Sequence, residues 1–592
     1  MAFNSSSETV ILEDTFYSYP LTSVVCNLIL TEKILFIHFV NKGKDEVEKL
    51  FLHDVIGCRV LHGKDKLKND PKDHFGYFCV YAYLLKTSAG LLSKQLRRER
   101  KCLTFQARKY ETQEENIKLV ETWKRALSCL LRGRFCVQNG EVHIPDSVPP
   151  HKNFLILINP KSGCGKAHQI FKQWVVPVFQ ESDTEFELLI TDRANCARDF
   201  VKKADLSQWD GIVVVSGDGL LFEVYNGLMA RSDWKEVIKI PVGVVPGGSG
   251  NGLARAINYA IGEPYDVNIV TPSVLNLLKG RTVPMDIVRV QSPKECFYSF
   301  LSVGWGLMAD IDIESERLRA IGEARFAVWG VIRAIGLRKY KGRLSYLPVK
   351  GFKPTGPNKN LIEPKPKRSK TIDCKQGWTE DTSLNEKEIQ PNMFRSKSFG
   401  THEPAVTDTD NRTVRLMKFS FSGDKFDSYL SSLSSLQEED TKNIPHHHCD
   451  DEQEEDSGDK EDKVGSNYCP PLEKPVPEDW TVVDDEFVMV YACHQTHLST
   501  DVLFAPDARM DDGIIWLIVI RAGISRAQAM YFLSCLQTGE HVNVPYVDVI
   551  PVNAFRLEPH KSEGYLTVDG EVIPCCPIQA EVMPSVARVM SR

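Results

Sequence analysis

"FLILINPKSGCGK", residues 154–166, sets an apolar run against a loop of small residues that ends on a lysine. Five consecutive apolar residues leave no face for water, so they predict a strand covered on both sides, as in parallel sheets. "AHQIFKQWVVPVF" follows as a helix, and a loop between a strand and a helix N-terminus is a natural place for a phosphate. Set against a Walker A loop it departs at two positions, which leaves a damaged P-loop, a different phosphate loop or only a turn. That pattern wants glycine where Pro160 stands and a magnesium-binding hydroxyl where Ala167 stands.

The same texture recurs. "EFELLIT" precedes a helix at 194–203, "GIVVVSG" one at 220–229, and "VGVVPGG" another. Alternating buried runs and helices predict an α/β unit with a parallel sheet. Its four loops, "NPKSGCG", "TDRAN", "SGDG" and "PGGSGN", all leave the carboxyl ends of strands, the edge along which open α/β sheets bind ligands. In Ser216, Gly217, Asp218 and Gly219, the glycines let backbone approach a phosphate, and helix-end amides favour the anion. Asp218 is out of place beside phosphates, so it suits a different role, which could be taking a proton from an attacking hydroxyl, holding magnesium, or capping a helix. The turn "GGSGN" at 247–251 adds a second nest of amides. Two such nests on one crevice read as a nucleoside-triphosphate site.

A chain of 592 residues exceeds one core, and two to four domains are expected. With 42% hydrophobic and 26% charged residues the composition is that of a soluble globular protein, and a net charge of -7 excludes a global basic field for nucleic acid. The 16 cysteines are dispersed and "MAFNSSSETV" lacks a basic and an apolar signal region, which predicts reduced thiols in the cytoplasm. The strongest apolar run, "GIIWLIVI" at 513–520, falls far short of the roughly 20 residues that span a bilayer. Membrane association is therefore expected to be peripheral.

Residues 1–150 read as short strands closed by one amphipathic helix, "ENIKLVETWKRALSCLL". That order resembles a pleckstrin-homology-like (PH-like) β domain in pattern, though not in motif. Residues 151–285 form the expected nucleotide-binding α/β lobe. Strand-like runs over 286–350 and 480–592 predict a largely antiparallel, β-rich lobe. Between them, 351–479 is polar and rich in Pro, Ser, Asp and Glu, and is expected to be a disordered insertion. "GRLSYLP" and "EFVMVYACHQ" on its flanks are candidates to pair as an overgrown hairpin.

In order along the chain, "ILINPKSGCGKA", "LLITDRAN", "VVVSGDGLLFEVYNGL", "VPGGSGNGLA", "SVGWGLMADIDIESERLRAIGEARF" and "LTVDGE" resemble the motifs of diacylglycerol-kinase-type lipid kinases, and most of all those of sphingosine kinases. The resemblance covers about 153–350 and 480–592. It identifies the opening loop as the family's own first nucleotide loop. It implies ATP contacts at Asn159, Pro160 and Lys161, at Thr191, Asp192, Arg193, Ala194 and Asn195, at Glu223, and at Gly248, Ser249 and Gly250. Arg319 and Arg325 are implied at the ATP phosphates, a place that suits guanidinium forks, and Asp569, Gly570 and Glu571 complete the site. Arg319 and Arg325 are six apart, about 240° round an unbroken helix, so a break near Gly322 is expected. Asp218 is implied as the general base. ATP with Mg2+ are the expected cofactors, with the metal ligands unassigned.

Asp312, in "ADIDIESE", matches the family residue that meets the sphingoid-base amine. A carboxylate in a lipid cleft is costly unless a cation pairs with it, and sphingosine carries an ammonium where ceramide has a neutral amide and diacylglycerol has no nitrogen. A solvated Asp in an acidic cluster with Asp310, Glu314 and Glu316 is the plainer alternative. Ser302 is expected at the headgroup. Trp305, Leu307 and Met308 suit either the tail pocket or the core, and His497 either a tunnel position or the core. A ceramide kinase or diacylglycerol-kinase-type activity is the alternative within the class, a catalytically silent lipid-binding scaffold the alternative outside it, and an NAD kinase is disfavoured by the lipid-type second lobe. "HHHC" at 446–449 lacks partners at metal-ligand spacing. Ser398 and Ser435 are candidate sites for regulatory kinases.

Overall fold

A computed structural model describes residues 9–21, 23–41, 44–61, 74–89, 94–138, 140–163, 165–265, 268–279, 281–321, 324–351, 406–407, 413–414, 416–419 and 465–592. The first unit is a seven-stranded antiparallel sheet of β1 (Leu12–Tyr19), β2 (Val25–Leu30), β3 (Ile34–Asn41), β4 (Lys44–Phe51), β5 (Val55–Val60), β6 (Gly76–Ala89) and β7 (Lys94–Ala107). Its strand order is β4-β3-β2-β1-β7-β6-β5. Helix α1 (Gln113–Leu131) closes it, opened by Thr112, whose hydroxyl accepts from the Glu115 amide at 3.3 Å. Trp123 is the plug: its ring meets Phe16 edge-on at 5.5 Å, and its Nε1 donates to Asp14 at 3.0 Å.

The nucleotide lobe is a parallel sheet of β8 (Asn153–Ile158), β9 (Glu185–Ile190), β10 (Gly211–Ser216) and β11 (Val242–Pro246), in the order β9-β8-β10-β11. The continuous apolar runs are explained by covered faces. Leu155 and Leu157 pack towards α3 (Cys196–Lys203), α4 (Asp218–Met229) and α5 (Gly252–Ala260). Phe154, Ile156 and Ile158 pack towards α6 (Val270–Lys279) and α2, which runs Ala167–Ile170, through a π-turn at Phe171–Val175, to Val176–Ser182.

The second lobe begins at β12 (Arg281–Gln291), so a boundary at 285 would cut a strand. It continues with β13 (Cys296–Ser299), β14 (Ser302–Gly306), α7 (Leu307–Ser315), a 3-10 turn at Glu316–Ile321, α8 (Ala324–Ile335) and β15 (Tyr340–Pro348). After the insertion come β17 (Thr481–Cys493), β18 (Ile515–Arg521), α9 (Arg526–Ser534), β19 (Asp548–Pro559), β20 (Leu566–Val568), β21 (Glu571–Ile573) and β22 (Ile578–Ser591). β15 and β17, the insertion's flanks, pair antiparallel from Tyr340↔Phe487 to Tyr346↔Thr481. β22 lies antiparallel along β12 and touches the parallel sheet at Val242↔Val589, joining both lobes into one sheet.

Most of the expected disordered insertion lies outside the described residues, as do "HHHC", Ser398 and Ser435. Within it Val406–Thr407 pairs antiparallel with Thr413–Val414, and two further parts pack on the lobes. Leu416–Phe419 is a short strand, β16, pairing antiparallel with β9; Leu416 and Met417 cover opposite faces of the sheet edge, and Lys418 meets Glu187 at 3.6 Å. Residues from 465 pack on the second lobe despite their prolines: buried Arg556 donates to the carbonyls of Lys474 (2.6 Å) and Pro471 (3.2 Å). A proline-rich stretch lacks ladder donors but keeps its carbonyls, so periodicity alone does not reveal such docking. Among the described residues no helix is long and apolar enough to cross a membrane.

The N-terminal sheet is bonded to the nucleotide lobe. Tyr83 and Arg100 both donate to Glu181 of α2, at 3.0 and 2.6 Å. Arg98 bridges Asp54 (2.7 Å) and Glu263, and Arg592 reaches the same two carboxylates at 2.9 Å.

Candidate functional site

The four loops at the carboxyl ends of β8–β11 meet in one place. Ser162 of the first loop accepts from the Gly217 amide at 3.0 Å, and Gly247 of the fourth donates to Ser216 O at 2.9 Å. Gly163, with φ +56°, packs on the backbone of Gly248, and a Cβ on Gly248 would stand 2.3 Å from Gly217 Cα. Only glycines allow this stack, in which the Gly217 amide donates to Ser162 Oγ and the Gly248 amide to Asn251 Oδ1 at 3.1 Å.

Asp218 opens α4, but the helix it caps is another one. Its carboxylate accepts from the Gly252 amide at 2.8 Å, the first residue of α5, and more distantly from Leu253 at 3.5 Å. Burial pushes its pKa up to about 7; those two amides oppose the shift, and the Asp569 and Asp312 charges add to it. A carboxyl poised there at neutral pH can accept a proton.

One cavity of about 1000 Å3 runs from the glycine stack into the second lobe. Of the first two loops, Asn159, Lys161, Ala194 and Asn195 line it. Pro160, Thr191, Asp192 and Arg193 do not: Thr191 is spent on Ile158 O, and Arg193 pairs outward with Asp199 at 2.7 Å. Glu223 lines the cavity while accepting from the Ala197 amide at 3.1 Å, so it also fixes the start of α3. Ser216, Gly217, Gly219, Gly248, Ser249 and Gly250 line it as expected.

From the other side, Asp569 is a knot. It accepts from the Ser299 hydroxyl (2.6 Å) and the amides of Phe300, Leu301 and Ser302 (2.9–3.0 Å). Burial still raises its pKa to about 6. The knot carries Gly570 and Glu571 into the cleft, where Glu571 Oε1 lies 2.9 Å from where a Gly219 Cβ would be.

Asp310 and Glu314 face away from the cleft: Asp310 takes the Tyr340 hydroxyl, and Glu314 takes Trp329 Nε1 (2.8 Å) and Arg333 Nε (2.5 Å). Their pairing turns Asp312, between them on α7, towards the cavity. Its carboxylate is 34% exposed, 3.6 Å from Arg325, and raised to about 6 by burial, against which Arg325 acts. Arg325 thus lines the cavity as the partner of Asp312. The helical path is interrupted at Leu318, just before Arg319, where φ/ψ is non-helical; the 3-10 turn runs to Ile321 and α8 begins at Ala324. The side chain of Arg319 and residue Gly322 lie outside the described residues.

Ser302 and Met308 line the cavity, with Ile311, Phe326, Val331, Leu498 and Leu533 forming an apolar end. For two of the tail candidates the core alternative holds. Leu307, one position from Met308 and so turned about 100° on α7, packs into the core with Val488 and Phe532. His497 lies against Tyr259, ring centroids 5.0 Å apart, while its neighbours Leu498 and Ser499 line the cavity. Trp305 is core, its Nε1 donating to Glu563 O at 3.1 Å. Sequence reasoning missed Ser162, Arg198, Phe222, Phe297 and Tyr491 as lining residues. Ser162 and Phe222 were visible inside the quoted motifs, but the other three sit in none. Among the described residues no cluster of three or more His, Cys, Asp or Glu is arranged to hold a metal ion.

The chain matches the diacylglycerol kinase catalytic domain family over residues 153–290 and the YegS C-terminal NAD kinase beta sandwich-like domain over 478–591. It is 35% identical to sphingosine kinase 2 of Homo sapiens, across 99% of this chain and 92% of that protein. It is 32% identical to sphingosine kinase 1 of Rattus norvegicus (73% and 88% covered) and 31% to sphingosine kinase 1 of Caenorhabditis elegans (71% and 77%).

Proposed function

The chain belongs to the sphingosine kinase family and is a lipid kinase acting on sphingosine with ATP as phosphoryl donor; we propose how its cleft divides that work. The triphosphate rests on the stacked turns at Gly163, Gly217 and Gly248, with Lys161 beside them. Asp218 takes the proton of the primary hydroxyl as its oxygen attacks the γ-phosphorus. Asp312 receives the ammonium, and the apolar end of the cavity receives the tail. Magnesium, arriving on ATP, supplies charge neutralisation at the phosphates. The cleft-facing carboxylate Glu571, which has neither the base nor the ammonium role, would meet that ion.

The observation that carries this reading is one cavity lined at once by the glycine stack, Asp218 and Asp312. Sphingosine, ceramide and diacylglycerol offered with labelled ATP test it. The wild type should label sphingosine alone, and Asp312→Asn should raise the sphingosine KM about 10-fold or more with the ATP KM little changed. An unaltered sphingosine KM would remove the reason for an ammonium partner.

Peripheral membrane association belongs to the same proposal. Val328, Val331, Ile332 and Ile335 of α8, each 44–58% exposed, and Tyr531 of α9 (56%) flank the apolar end of the cavity. Apolar side chains exposed beside a lipid cleft suit a bilayer surface. A cytoplasmic setting is supported by free thiols at the described cysteines. A docking role for the PH-like N-terminal unit, and regulatory phosphorylation of the insertion, complete the proposal.

A further inference from the structure

Sphingoid bases carry three polar groups on consecutive carbons: a primary hydroxyl, an ammonium and a secondary hydroxyl at C3. The division of labour above gives the first to Asp218 and the second to Asp312. The third needs a partner in the same short stretch of cleft, and the structure holds one that no motif signals.

Tyr491 lies on β17 opposite Gly304 of β14. Its ring lies across that glycine, where a Cβ would come within 2.2 Å of Tyr491 Cε2. Phe504 holds the ring from another direction, edge to face at 5.0 Å. The ring is buried, and its hydroxyl runs along β14 to Ser302, 3.3 Å from Oγ. Both residues line the cavity. Burial first, then the charges of Asp312, Cys493 and Asp569, keep the phenol protonated well above its ordinary range, while the Ser302 contact opposes the shift. The hydroxyl therefore sits within the field of the very carboxylate assigned to the ammonium.

A pair of hydroxyls satisfies one donor and one acceptor between its members and leaves one O–H and further lone pairs over. Among the described residues, each of these hydroxyls has the other as its side-chain partner. In a buried place that surplus is costly unless a ligand group meets it. A secondary alcohol, which both donates and accepts, matches it; an apolar methylene does not.

We infer that Tyr491, with Ser302, reads the C3 hydroxyl of the long-chain base, making it a specificity residue for the headgroup. The inference rests on the Asp218–Asp312 assignment and adds a third point of contact, set by the notch that Gly304 leaves.

The test is a ratio, which is insensitive to how much enzyme is folded. kcat/KM is measured for sphinganine and for 2-aminooctadecan-1-ol, which lacks only the C3 hydroxyl, with wild type and Tyr491→Phe. The wild type should prefer sphinganine, and Tyr491→Phe should shrink that preference by about 3- to 10-fold, the worth of one net hydrogen bond. A preference identical in the two enzymes, whether or not both rates fall, overturns the inference. If Tyr491→Phe cannot be purified, Ser302→Ala breaks the pair from the other side, and the same two outcomes decide. The underlying assignment fails separately, in an Asp312→Asn enzyme whose sphinganine KM equals that of wild type.

Discussion

Asp218 combines two demands that pull against each other. Its carboxylate is buried and faces two other acids, yet it is held by the α5 amides in a form able to take a proton. Asp218→Asn is expected to keep ATP binding, read by calorimetry, while turnover falls about 10²- to 10⁴-fold; near-normal turnover would refute the base. With a folded pKa of about 7, kcat/KM should rise with pH through neutrality, and because Asp312 at about 6 shares the cleft, the apparent values belong to the group. The sign for stability is opposite. The folded state holds the Asp218 proton more tightly than the unfolded chain, so the contribution is lost as pH rises from about 4 towards 7 and beyond. Asp218→Asn should therefore lose less thermal stability than wild type between pH 6 and 8. At this scale the chemistry of Asp218 and Asp312 marked both as out of place beside phosphate and lipid, and both line the one cavity; their roles came from the family resemblance. The sequence was opaque where a one-residue rotation decides, as between Leu307 and Met308. Tyr491 was invisible because its partner glycine lies on a strand far away in sequence.

Among the elements, the strand–loop–helix units were legible because burial on both faces writes an unbroken apolar run, as in Phe154–Ile158 and Ile212–Val215. Contact between their loops was not, since nothing local says that Gly163, Gly217 and Gly248 stack. Gly248→Ala puts a methyl 2.3 Å from Gly217 Cα and forces two backbones apart. A cost of about 1–3 kcal/mol is expected in denaturant titration, with a raised ATP KM and a smaller change for the lipid. Equal ATP affinity would mean that the stack is not the phosphate seat. Strand β16 shows the opposite limit: four residues in a polar stretch pair with a sheet edge because Leu416 and Met417 each find a core. Too short to show a period, such a strand is recognised only once its partner is known.

As a whole molecule, the enzyme is three units tied by charge and by sheet. Arg98→Ala would remove one of the two guanidinium groups that hold Asp54 and Glu263 together. A loss of about 3 kcal/mol, the lower end for a broken buried pair, should appear as earlier unfolding, whereas no change would make the interface a loose contact. At the outer surface, Val328→Glu with Ile332→Glu is expected to reduce cosedimentation with liposomes while sparing turnover of detergent-dispersed sphingosine; undiminished cosedimentation would move the bilayer contact elsewhere. The shared strand β22 has a consequence for how the protein is made. Arg281 of β12 finds its partner at Ser591, so a ribosome adding about 5–20 residues per second keeps β12 waiting for on the order of 15–60 s. Through that interval a finished parallel sheet carries a bare, apolar border, a target for holdase chaperones. The segment 153–290, complete as a unit of ancestry, should come out of a cell as aggregate when expressed alone.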